Sequence, residues 1–478
     1  MRLRPSARLR LPAQALGAGP ARAAAFLRGA DLGAAGERAG HAARPLARAA
    51  SGGRSNPVSD TFDLVGVGFG PSNLSLAVAL RERGSRLVAR FLEARPAFAW
   101  HPDMMIAGSD MQVSFLKDLV SLRNPRSAFS FLSYLHAKGR LTRFINRKTF
   151  FPSREEFNDY LGWVAGQLDV CSYDRRVTAI EPVRSGGEIS ALRVSAESAS
   201  GAREHFLARN LVLAPGGRPY WPEPFAALRG SARVLHARDY LGGVAARLRP
   251  GTRIAVIGGG QSGAEIFADL AGRPEAPRVE MILRAGAPRP SDDSPFVNEI
   301  FHPEETGRFH ALPPEARERR LAEAQPTNYS VVDHDLIATM YDLLYEQSVR
   351  GEDRLALRAR TSVLAAAEDA DGIRLRLVGA EGETRAGYDL VILATGYRRG
   401  IDRALLGGIG DWWTGAPPAR DYRLPMAAGF GPAVFVQGQS EPTHGVGDTL
   451  LSVLALRSDE IAEAIEAQGH RGFALAAE

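Results

Sequence analysis

The chain holds one cysteine, Cys171, in 478 residues. One thiol cannot make an intramolecular disulfide, a Cys-x-x-Cys redox pair or a cysteine-built zinc or iron–sulfur site, and it suits a reducing compartment such as the cytoplasm. No apolar run approaches the ~20 residues that cross a bilayer, so no membrane association is expected. The 50 glycines and 30 prolines are too few and too scattered for a collagen-like or low-complexity chain. Nor is there a real surplus of one charge. The formal +5 comes from residues 1–54, where ten arginines face only Asp31 and Glu37; that net +8 leaves −3 for everything after. A mildly acidic body gives no electrostatic reason to bind nucleic acid.

What is present is 45% hydrophobic residues, ample for a core, and a length that fits two to four domains at roughly 100–200 residues each. Residues 1–57 form an Ala/Arg-rich extension with little periodicity. It reads as a disordered tail or an unused upstream start codon; its Arg-rich, acid-poor composition also matches a transit peptide, the less favoured reading because Pro and Gly interrupt any amphipathic helix and the Ala/Arg bias runs on through the chain. The fold is expected to begin at Phe62.

Residues 62–67 read as a short strand that runs into Gly68-Phe69-Gly70-Pro71-Ser72-Asn73 and then a helix over 74–83. Strand, glycine turn and helix start aim backbone N–H groups and the positive end of a helix dipole at a diphosphate. A second strand ends at Glu93, 25 residues after Gly68, where a ribose-binding carboxylate belongs. The pattern then recurs. Residues 253–257 lead into Gly258-Gly259-Gly260-Gln261-Ser262-Gly263 and a helix over 264–270, but the next strand, 279–283, ends in Arg284. An acid there would bond a free 2′-hydroxyl, whereas a guanidinium suits a 2′-phosphate. The first unit therefore reads as an FAD site and the second as an NADPH site. Each unit closes with a buried-type strand, at 210–213 and 388–393. The expected fold is α/β, with two Rossmann-like dinucleotide-binding domains and a small helical substrate subdomain. FAD and NADPH on separate units point to an oxidoreductase. With one cysteine a disulfide reductase is excluded, which leaves a flavin monooxygenase or a simple NADPH oxidase or electron-transfer flavoprotein.

The sequences between these units carry a resemblance. Trp100-His101-Pro102, Met111-Gln112-Val113-Ser114-Phe115-Leu116-Lys117-Asp118, Asn124-Pro125, Phe129-Ser130-Phe131, Asn298-Glu299-Ile300-Phe301, Thr327-Asn328-Tyr329-Ser330-Val331-Val332 and Asp448-Thr449-Leu450-Leu451-Ser452 stand in one order over about 60–465. They resemble the microbial N-hydroxylating monooxygenases, the L-ornithine N5- and L-lysine N6-monooxygenases of hydroxamate siderophore biosynthesis. Two positions depart from the family pattern: Asp103 where glycine is common, and Gly263 where alanine is usual.

The resemblance implies a role for each matched residue. Gly68, Gly70, Pro71, Asn73 and Glu93 would hold the FAD diphosphate and ribose. Trp100 and His101 would lie near the isoalloxazine, Gln112 at its reactive edge, and Val177 on the adenine. Thr449, Leu450 and Leu451 would offer N–H groups to the flavin pyrimidine. Gly260, Gln261, Ser262, Gly263 and Arg284 would hold NADPH, with Asn328, Tyr329 and Ser330 over its nicotinamide half. Lys117 would pair with the substrate carboxylate, and Asn298, Glu299, Ile300, Phe301, Asn328 and Ser452 would complete the site. The implied oxidant is a flavin C4a-hydroperoxide, with no protein acid or base assigned and no metal. The implied partners are L-ornithine and O2, with lysine or a diamine as rival substrates, a non-hydroxylating flavoprotein as a rival class and homo-oligomerisation open. The expected layout is FAD domain over 58–238 and 397–478, and NADPH domain over 239–396 with its helical insertion at about 290–350.

Overall fold

The computed structural model describes residues 61–475, with side chains described as far as 468; the expectation for residues 1–57 lies outside that span. Two five-stranded parallel sheets organise the chain. The first runs Ala433–Val436, Asn210–Leu213, Leu64–Val67, Ala89–Leu92, Cys171–Ser172. The second runs Val234–His236, Leu390–Leu393, Arg253–Ile257, Arg278–Ile282, Leu355–Arg358. In both, the strand that feeds a glycine turn is central, with a closing strand on one side and the strand leading to Glu93 or Arg284 on the other. The internal repeat is thus a repeat of sheet order. Parallel strands covered on both faces need continuous apolar runs, and Asn210-Leu211-Val212-Leu213 and Leu390-Val391-Ile392-Leu393 are buried along their whole length.

The helix expected over 74–83 starts earlier, as Pro71–Glu82, with Pro71 at its first position and Gly70 extended before it. Its counterpart is Gln261–Ala271. Two further sheets built on antiparallel hairpins, the first with Thr61–Phe62 added in parallel to Arg203–Ala208, have no place in the sequence reading. One pairs Arg176–Ser185, Glu188–Glu197 and Arg203–Ala208, and the other pairs Ser362–Asp369, Gly372–Gly379 and Gly382–Tyr388. Their signal lies in the two-residue hairpin turns Gly186-Gly187 and Ala370-Asp371: Gly186 and Gly187 have φ of 59° and 90°, and Gly372, which follows the second turn, has φ of 144°.

The helical stretch of the second unit divides. Pro303–His310 and Pro314–Asn328 pack toward the C-terminal segment around Glu441–His444. His334–Arg350 instead sends Leu336, Ile337 and Met340 into the core of the second sheet, beside Ile266 and Phe267. No helix among the described residues is long and apolar enough to cross a membrane.

Candidate active site

The first glycine turn is built around two fixed points. Gly68 has φ +83°, and a Cβ there would stand 2.6 Å from the Ala214 carbonyl oxygen of the neighbouring closing strand. Asn73 is fully buried; its Nδ2 donates to Gly68 O at 2.7 Å, and its Oδ1 accepts from Gln437 Nε2 at 2.9 Å. Asn73 therefore does by hydrogen bonding what a third glycine does by close packing. Glu93 closes the turn: its carboxylate accepts the Phe69 N–H at 2.9 Å and the Arg95 N–H at 3.0 Å. Nothing lies within 4 Å of the Cβ position of Gly70, so the helix start behind it is open to a ligand. Val177 follows close by, since Arg175 N donates to Glu93 O at 2.8 Å, and a register shift at Val177/Ala179 interrupts its strand pairing. The Cys171 thiol, on the strand beside Glu93, is pushed up to about 12 by burial and by that carboxylate, so it is no thiolate nucleophile.

The second turn repeats the first. Gly258 has φ +134°, and a Cβ there would stand 2.2 Å from Ala394 O. Gly263 explains its own departure from alanine, because a Cβ would meet Gly258 O at 2.6 Å. Gly260 faces the backbone of Ser330, whose Cα lies 3.4 Å from the Gly260 Cβ position, so Ser330 lies over this turn. Ser262 stands in the first turn of the following helix. The Gln261 side chain is engaged by Asp333 and Glu265, so what this residue offers a coenzyme is its backbone N–H. Arg284 is exposed, and no described residue pairs with its guanidinium. These features fit a dinucleotide on each turn: open helix starts, backbone-tight glycines, a held carboxylate in one and a free guanidinium in the other.

Between the turns lies a cationic seam. The His101 ring packs against Trp100 at 5.1 Å and Tyr397 at 6.2 Å. The His101 residue keeps an exposed surface, yet desolvation of its ring by close neighbours, and then Arg154, Arg399, Arg95 and Arg238 around it, pull its pKa down to about 4; the charge of the seam is carried by the arginines. Gln112 is exposed, with Nε2 donating to Asp333 Oδ1 at 2.9 Å. Arg154 forms a two-point pair with Glu265 at 2.9 and 2.7 Å, joining the two units. Asp103, the other departure, is spent on structure: its Oδ1 accepts the Gly242 N–H at 3.0 Å.

The substrate residues gather less completely. Lys117 Nζ lies 5.8 Å from the Phe301 ring centroid, and burial alone lowers its pKa. No described carboxylate forms an ion pair with it. Asn298 and Asn328 each end a helix, Pro295–Asn298 and Pro314–Asn328, and neither side chain caps one. Asn298 Nδ2 donates back to Ser294 O at 3.3 Å, which leaves its carbonyl free. Ser452 is buried with its hydroxyl unpartnered. Glu299 is exposed, and Ile300 lines a cavity of about 290 Å³ that Thr327, His444 and Val453 also line. Among the described residues no direct hydrogen bond joins Lys117, Asn298, Asn328 and Ser452 to one another.

The flavin-loop residues show a difference. Leu450 N–H is taken by Gly447 O at 3.0 Å, so Leu451, which opens the turn Leu451–Val453, is the better donor. Tyr329 OH donates to Glu441 Oε2 at 2.6 Å and is reached by the Thr449 hydroxyl; burial and that carboxylate push the phenol up to about 12. The sequence reading missed Arg154, Glu265, Asp333 and Glu441. Only Glu265 carries a local signal, as a charge between Ala264 and Ile266 on a buried helix face.

The model of the L-lysine 6-monooxygenase/L-ornithine 5-monooxygenase family matches residues 60–399. An L-ornithine N(5)-monooxygenase of Pseudomonas aeruginosa is 47% identical over 409 residues, 84% of this chain and 92% of that protein. The solved ornithine hydroxylase PvdA of the same organism superposes with a TM-score of 0.82 at 45% identity, covering 85% of this chain and 99% of that one. The ornithine N-hydroxylase of Kutzneria sp. 744, solved with reduced FAD, NADP+ and L-ornithine, gives 0.81 at 37% identity over 86% of this chain and all of that one, 100%. The chain belongs to the L-lysine 6-monooxygenase/L-ornithine 5-monooxygenase family.

Proposed function

We propose that this protein hydroxylates the side-chain amine of L-ornithine, using FAD, NADPH and O2 and giving N5-hydroxy-L-ornithine for hydroxamate siderophore biosynthesis in the cytoplasm. The observation that carries the reading is Lys117, a half-buried ammonium with no described carboxylate partner, in a chain with two dinucleotide turns. It is a built site for an amino-acid carboxylate, which a diamine lacks. The first sheet with the C-terminal segment forms the FAD domain, and the second sheet forms the NADPH domain. FAD held at Gly68, Gly70 and Glu93, and reduced by NADPH, supplies the activation of O2.

The chain's own residues have three tasks. Lys117 holds the carboxylate and so fixes the reach of the side chain. Asn298, with its NH2 turned back to Ser294 O, presents a carbonyl to the amine. An alkylammonium titrates near ~10.4 in water, and only the neutral amine has a lone pair to react. A dry site bounded by an amide carbonyl, with the positive charge of Lys117 at its far end, lowers that pKa. Exclusion of water is the third task, and the buried Ser452, Phe301 and Val453 wall the site on that side. Product identification with NADPH, O2 and a panel of ornithine, lysine, putrescine and cadaverine tests the reading; a hydroxylated diamine as preferred product would overturn it.

Arg284 sets the coenzyme preference. A charge-assisted hydrogen bond to the 2′-phosphate contributes ~1.5–3 kcal/mol, so Arg284→Ala should narrow the NADPH/NADH ratio of kcat/KM for flavin reduction by roughly 10- to 100-fold. Equal use of both coenzymes by the unmodified protein would remove the assignment.

A further inference from the structure

The Asp333 carboxylate gathers the amides of both dinucleotide units. Gln112 Nε2 donates to its Oδ1 and Gln261 Nε2 to its Oδ2, each at 2.9 Å. The Asp333 N–H returns a bond to Gln261 Oε1 at 2.9 Å, so Gln261 is held at both ends of its amide. Gln261 Nε2 also donates to Glu265 at 3.0 Å, and Arg154 neutralises Glu265. The Ser291 hydroxyl reaches Asp333 Oδ1 at 3.5 Å. Because a carboxylate has only acceptors, the amide end that faces it must be NH2. For Gln112 that leaves Oε1 as the free end, and no described residue donates to it.

From this geometry we infer that Asp333 is a positioning residue: it fixes the Gln112 amide with its carbonyl toward the flavin and ties that amide to the coenzyme turn through Gln261. The inference rests on the proposed placement of the flavin edge beside Gln112. It has a redox consequence. A reduced flavin carries an N–H at its reactive edge that a carbonyl can accept, whereas the oxidised ring has a lone pair there that a carbonyl repels. Locking the carbonyl outward therefore favours reduced flavin. An amide free to turn offers NH2 to the oxidised ring and loses that preference.

The test is a double-mutant cycle on the two-electron midpoint potential of the FAD-loaded protein, with Asp333→Ala, Gln112→Ala and the two combined. Removing a negative charge raises the potential by Coulomb's law in both backgrounds, so the orienting effect is read as the difference between backgrounds. We expect Asp333→Ala to leave the potential lower, relative to that charge effect, only when Gln112 is present. The expected difference is about tenfold in reduced-over-oxidised preference, which is about 30 mV for two electrons. The same shift in both backgrounds overturns the proposal. Should Asp333→Ala fail to retain FAD, Asp333→Asn enters the same cycle under the same criterion, since an asparagine can donate where the carboxylate cannot. An unmodified protein that binds no FAD would defeat the functional reading itself, a separate result from FAD bound with no coupling.

Discussion

Lys117→Ala should lower kcat/KM for L-ornithine by about 100- to 1000-fold while leaving FAD content and flavin reduction by NADPH nearly unchanged. Loss of the charge-assisted bond to the substrate carboxylate accounts for ~1.5–3 kcal/mol, and loss of the near-attack geometry of the amine adds to it. Among the described residues the ammonium has only the face of Phe301 at 5.8 Å for company, and burial already works against its charge. On the proposed reading, a substrate carboxylate is the counter-ion it lacks. Two further readouts separate binding from redox effects. NADPH consumption should continue and yield more hydrogen peroxide per turnover, and putrescine, which has no carboxylate, should be processed similarly by both proteins. Normal ornithine hydroxylation by the variant would place the carboxylate elsewhere.

The second large effect is on stability. Asp448 and Arg457 form an ion pair with side chains 0% and 2% exposed, at 3.1 Å between Oδ1 and Nη1. Asp448 Oδ2 also accepts the Ser440 N–H at 2.7 Å, and Arg457 Nη2 donates to the Ser72 hydroxyl at 2.9 Å. Removing one partner leaves the other charge buried and unpaired, so Arg457→Ala should cost about 3–5 kcal/mol in unfolding free energy. Replacing both by apolar residues of similar volume should recover much of that loss. The pair also bridges the first residues of the FAD-turn helix and the loop that precedes Leu451. FAD should therefore leave the single variant faster at temperatures where the protein is still folded. Denaturant melts combined with flavin-release rates check both parts, and a loss below about 1 kcal/mol would show that the Arg457 site relaxes or hydrates.

The parts of this molecule that were legible in the sequence are the ones whose physics is local. Both glycine turns, their strands and the Glu93/Arg284 contrast are each contained within some 30 residues, and the sheets place them as the spacing implies. The sequence pattern places both helix starts three residues late, because Pro71 and Gln261 group by composition with the turns that precede them. What stayed hidden is non-local. Gln112 and Asp333 are 221 positions apart, Arg154 and Glu265 are 111 apart, and Ser72 and Arg457 are 385 apart. A polar residue on its own gives no sign of which distant carboxylate will claim it. Gln112 and Gln261 were recognised through matched motifs, but their side chains proved to share a partner that no motif named.

The bond between Asp103 and Gly242 binds two positions into one evolutionary unit. The carboxylate supplies a donor's partner in the first turn of the helix Tyr240–Ala245, whose own preceding residue, Asp239, makes no side-chain cap. It fits without adjustment because position 242 has no side chain; a Cβ there would stand 2.9 Å from Oδ1, so the carboxylate would have to turn aside and lose the bond. The two residues should therefore covary among relatives: where position 103 carries glycine, position 242 is released to carry a side chain, and where it carries aspartate, glycine should be retained at 242. Such a lineage can cross from one state to the other by losing the carboxylate first at no steric cost, whereas gaining a side chain at 242 first turns the carboxylate aside and breaks its bond to the Gly242 N–H.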